Sequence, residues 1–66
     1  MKISENIFNI MEQKGMTQLE LSEKTGINQS TISDWKTKKT NPAANKIMII
    51  CKALKVSPKR LLEGMD

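Results

Sequence analysis

Residues 17–35, TQLELSEKTGINQSTISDW, read as two short helices joined by a tight turn, with a polar face left over. Thr17, Gln18, Leu19 and Glu20 form a Thr-x-x-Glu box, in which hydroxyl and carboxylate satisfy each other's orphan backbone donors. A helix therefore begins at Gln18, with Leu19, Leu21 and Ser22 on or beside its inner face. Thr25, Gly26 and Ile27 supply the stop, because glycine takes left-handed geometry without steric cost. Asn28 then stands as an N-cap for a second helix running from Gln29 towards Trp35 or Lys36. At about 100° per residue, Ile32 and Trp35 fall on one side of this helix. Ser30, Ser33, Asp34 and Thr37 fall opposite, and Gln29 flanks them at the amino-terminal end. An apolar anchor bearing amides and short hydroxyls outward fits a DNA major groove, where such groups meet base edges. A surface helix with an ordinary solvated face has the same pattern, and the wheel alone does not separate the two readings.

Composition narrows the alternatives. The 66 residues make one domain, residues 1–66, and a core of this size contributes only roughly 3 to 5 kcal/mol. Apolar content of 38% and charged content of 27% are those of a folded globular chain. The longest apolar run, Ile47 to Cys51, is far short of the ~18 residues needed to cross a bilayer, and no secretory leader is read at Met1. One cysteine and no histidine leave neither an internal disulfide nor a zinc spacing, so no metal and no cofactor are expected. The cytoplasm is the expected compartment. Without histidine, paired carboxylates or a glycine-rich phosphate loop, an enzyme is not expected.

The net charge of +4 hides an asymmetry. Residues 1–23 carry four glutamates against Lys2 and Lys14, whereas residues 24–60 carry nine lysine or arginine residues against Asp34 alone. Positive charge gathers around and after the second helix of the pair, where phosphates would need it. For Lys52 and Lys55 a merely solvated helix face is the better reading.

The run Thr17-Gln18-x-x-Leu21-Ser22-x-x-x-Gly26-Ile27-x-Gln29-x-x-Ile32-Ser33-x-Trp35, followed by Pro42, resembles the helix-turn-helix of the lambda-repressor and Cro-like family, also called the xenobiotic-response-element family. The resemblance covers nearly the whole chain and implies that the second helix of the pair enters the major groove. Gln29 and Ser30 are then the leading base readers, with Ser33 and Asp34 beside them. Gln18, next to Thr17 at the positive end of its helix, would bind a phosphate and brace Gln29. Four positions depart from the family pattern. Met11 stands where many relatives carry a phosphate-reaching arginine, Ser22 where alanine is usual, and Lys36 and Lys38 replace the Glu and Gly that often follow the tryptophan. Ser22 keeps the helix crossing small, and its hydroxyl can bond back to the Gln18 carbonyl.

The remaining segments fit an all-α, compact bundle of about five short helices. Ser4 is read as the N-cap of a first helix whose stripe is Ile3, Ile7, Ile10 and Met11, extended by Phe8 and Met16 and ended by Lys14-Gly15. After Trp35 comes a basic loop in which Lys36, Thr37, Lys38, Lys39 and Thr40 are the expected phosphate contacts. Asp34 either accepts from a cytosine amine or pairs with Lys38 one turn on, and nearby phosphates favour the pair. Ala43 to Leu54 reads as a fourth helix with Ile47, Ile50, Cys51 and Leu54 inside and Met48 beside them. Ser57-Pro58 opens a last short helix that returns Leu61 and Leu62 to the core and closes at Gly64. Trp35 is expected in the core, and Cys51 as buried filler rather than a nucleophile.

The expected function is sequence-specific binding of double-stranded DNA by a transcriptional regulator. Its expected form is a repressor of phage or mobile-element type, acting as a homodimer on a palindromic operator. The competing expectation is a protein-interaction module, such as an antitoxin-like partner, which would expose an apolar patch.

Overall fold

Five helices follow one another without strands among the described residues, which are 3–38 and 40–62 of the computed structural model. They are α1 (Ile3–Lys14), α2 (Gln18–Thr25), α3 (Gln29–Thr37), α4 (Ala44–Leu54) and α5 (Pro58–Leu61). Their main packing contacts form a closed circuit, in which α1 meets α3, α3 meets α2, α2 meets α4, α4 meets α5 and α5 returns to α1. Inside the circuit lie Ile7, Ile10, Met11, Leu21, Ile27, Ile32, Trp35, Ile50, Cys51, Leu54 and Leu61. Every helix thus gives the core one stripe, as an all-α domain of this size must.

Local chemistry explains most of the boundaries. Thr17 and Glu20 form the reciprocal box at the start of α2: the Glu20 amide donates to the Thr17 hydroxyl at 3.1 Å and the Thr17 amide to the Glu20 carboxylate at 3.1 Å. Gly26 ends α2 at φ 75°, its amide donating to the Ser22 carbonyl at 2.8 Å. Ser57 caps α5 through the Arg60 amide at 3.2 Å, with Pro58 in the first turn. Gly15 ends α1 at φ 67°, and the Met16 amide reaches back to the Met11 carbonyl at 2.9 Å.

Several expectations need correction. Ser4 is not a cap; it lies inside α1, is buried, and its backbone amide donates to the Asn41 side-chain carbonyl at 3.2 Å. The first turn of α1 is therefore capped from 37 residues away. Leu19 is 53% exposed: two residues from buried Leu21, it is turned by about 200° and cannot share the same face. Thr25 takes the inner place instead. Its hydroxyl donates to the Leu21 carbonyl at 2.7 Å and accepts from the Ile27 amide at 3.2 Å, so the buried oxygen is satisfied. The Ser22 hydroxyl donates forward to the Ile27 carbonyl, tying the turn down, rather than back to Gln18.

Asn28 precedes α3 but forms no side-chain cap. Met48 and Leu62 are exposed, since Ile50, Cys51 and Leu54 set the inner side of α4 and Leu62 lies past the end of α5. Gly64 and Lys39 lie outside the described residues.

Candidate nucleic-acid interface

The outward side of α3 is built by its inward side. Ile32 is fully buried and Trp35 nearly so, and with the turn held by Ser22, Thr25 and Gly26 they fix the rotation of the helix about its axis. That rotation leaves Gln29, Ser30 and Thr37 exposed and Ser33 and Asp34 half-buried. Thr31 is exposed as well. It goes unnamed in the sequence reading, lying within about 40° of Trp35 in projection; its place in the first turn of α3 is the signal that could find it.

Thr17 and Gln18 stand at the start of α2, the former exposed and the latter half-buried. No hydrogen bond links Gln18 to Gln29 among the described residues. Since Asn28 provides no side-chain cap, the first amides of α3 keep the partial positive charge that draws anions to helix starts. The Thr17 box, by contrast, occupies two of the donors at the start of α2.

Beyond Trp35 the cations are arranged unequally. The Lys36 ammonium sits over the Phe8 ring, 5.7 Å from its centroid, which draws its stem back towards α1. Lys38 faces Asp34 at 3.8 Å. Both members of that pair are well solvated, so the bridge is weak and a phosphate can compete for the lysine. The Thr37 hydroxyl donates to the Ser33 carbonyl at 3.1 Å, and Thr40 is exposed. Asn41 then ties the loop to α1 through Ser4, and Pro42 is buried behind it. The sequence reading missed Asn41, whose partner is remote in the chain.

A family model described as helix-turn-helix matches residues 7–61. The chain belongs to the lambda-repressor and Cro-like helix-turn-helix family. It is accordingly a DNA-binding regulator domain built on a helix-turn-helix. No curated protein matches the sequence significantly.

Other chemistries find little here. Among the described residues no group of histidine, cysteine, aspartate or glutamate side chains could hold a metal ion, and no helix is long and apolar enough to cross a membrane. Cys51 is buried and burial pushes its thiol up, the opposite of what a reactive thiolate needs.

Proposed function

We propose that this helix-turn-helix domain is a sequence-specific transcriptional repressor, acting in the cytoplasm as a homodimer on a palindromic operator. Gln29 and Ser30 meet base edges in the major groove, with Ser33 and Asp34 at the margin of the read sequence. Thr17, Gln18, Lys36, Thr37, Lys38, Lys39 and Thr40 hold phosphates on either side. The observation that carries this reading is one nine-residue helix on which Ile32 and Trp35 are buried while Ser30, on the opposite side, and Gln29, flanking it at the helix start, are exposed. A bidentate amide on an anchored helix can distinguish adenine from the other bases. Repression follows because a dimer occupying a promoter excludes other proteins by bulk alone. Two-fold symmetry places the half-sites about 34 Å apart.

Selection of bound sequences from a random DNA pool, with affinity titrated against salt, tests the proposal. The expected outcome is a palindrome with a steep salt slope. Gln29→Ala should cost roughly 1 to 3 kcal/mol on that site and relax preference at one base pair in each half. Equal affinity of parent and variant for all sequences would discard the assignment.

The other reading, an interaction module, has one observation in its favour: Leu19, Met48, Ile49 and Leu62 are large aliphatic residues left exposed. A stoichiometric protein partner retained in high salt, with no DNA retained, would favour it.

A further inference from the structure

The seam between α2 and α4 carries a shallow groove of about 320 Å³ lined by Lys24, Ile49, Lys52, Ala53 and Lys55. Three of its five lining residues are cations and none is an acid. Among the described residues no carboxylate pairs with any of the three lysines. Its floor is aliphatic: Ala53 is half-buried and Ile49 is 38% exposed. A hydrocarbon floor inside an unpaired basic rim matches a side chain of hydrocarbon flanked by carboxylates.

Lys55 adds an independent observation. The last turn of α4 closes as that of α1 does, with the Val56 amide reaching the Cys51 carbonyl at 3.0 Å and the Met16 amide the Met11 carbonyl at 2.9 Å. In α1 the left-handed residue of this closure is Gly15; in α4 it is Lys55, at φ 58° and ψ 44°. Lys55 is the one non-glycine residue with positive φ among those described. Glycine is the residue such a closure favours, so a strained lysine here keeps a cation at the groove that the backbone alone would not select. Its favourable place at a helix carboxyl end offsets part of that strain.

We propose that this groove docks an acidic amphipathic segment of a partner protein, with one aliphatic anchor over Ile49 and Ala53 and carboxylates at Lys24, Lys52 and Lys55. DNA is the less suited occupant. The groove is lined from α2, α4 and the residue that ends α4, and by no residue of α3, and a phosphodiester gains nothing from an aliphatic floor. The docking site is thus separate from the side of α3 assigned to bases, and its failure would leave that assignment standing.

The test titrates the full ¹⁵N-labelled chain with a synthetic twelve-residue helical peptide bearing leucine on one face and glutamate beside it. Saturable amide shifts centred on Lys24, Ile49, Lys52, Ala53 and Lys55 are expected. They should weaken about tenfold or more in the double variant Lys24→Glu, Lys52→Glu, and with a peptide whose leucine is replaced by serine. Lys55→Gly is the second variant: it should raise the melting temperature while weakening the peptide, which separates docking from folding. Shifts elsewhere, equal binding by the variants, or equal binding of the serine peptide would overturn the proposal. So would a loss of DNA affinity and salt slope in the lysine variants, which would give the groove to phosphates. A change in sedimentation of the double variant without peptide would likewise overturn it, by giving the groove to a second copy.

Discussion

Three residues of turn separate α2 from α3, and the starts of the two helices are made in opposite ways. Thr17 and Glu20 close the start of α2 with two reciprocal hydrogen bonds, so its position is written within four consecutive residues. Asn28, the better cap by preference, makes no such bond, and α3 is held instead by Ile32 and Trp35 against the rest of the core. A helix held by its own cap spends its first donors on itself, whereas a helix held by its neighbours keeps them. The second arrangement suits an element that has to present its amino-terminal end to an anionic partner.

If that contrast is right, the most damaging single change lies in the tertiary anchor of α3. Ile32→Ala should cost about 2 to 5 kcal/mol, comparable with the whole stability of a domain of this size. Thermal denaturation followed by helix signal should show the variant largely unfolded at room temperature. A cooperative transition close to the parent's would mean that α3 stands by local interactions after all.

Removing the box is the intermediate case. Thr17→Ala should lower stability by about 0.5 to 2 kcal/mol in urea titrations, the usual loss for an N-cap, with the domain still folded. Because Thr17 also stands among the proposed phosphate contacts, the same variant should bind DNA with a shallower salt slope. Unchanged stability would show the box to be incidental.

The smallest effect is expected where cap preference alone would expect a sizeable one. Asn28→Ala should stay within about 0.5 kcal/mol of the parent in the same titration, as exposed side chains without partners do. A loss as large as that of Thr17→Ala would place a hydrogen bond from Asn28 in the folded protein and remove the asymmetry between the two helices.

Legibility in the sequence follows the range of the interaction concerned. Gly26, Ser57-Pro58 and the Thr17 box were readable because each acts within a few residues, and all three appear where expected. Asp34 and Lys38, one turn apart on the same helix, were readable as a pair for the same reason. Leu19 was misread through its apolar character, although its spacing from Leu21 already forbade a common face, and Thr25 was overlooked because a threonine near a helix end looks like a solvated stop. The bonds from Ser4 to Asn41 and from Asn6 to the Leu61 carbonyl left no trace in any window of sequence.

What the chain determined by itself is where its helices begin and end and which large residues seek the interior, because caps, glycine geometry and helical spacing operate over a turn or two. Only the tertiary structure decided which of the apolar candidates found neighbours, how far α3 is rotated, and where the basic loop is fastened. Each of those depends on surfaces distant in sequence meeting around one core. The outward position of Gln29 and Ser30 belongs to both: local pattern put Ser30 opposite Ile32 and Trp35 with Gln29 flanking at the helix start, and packing of those two buried residues turned the polar side to solvent.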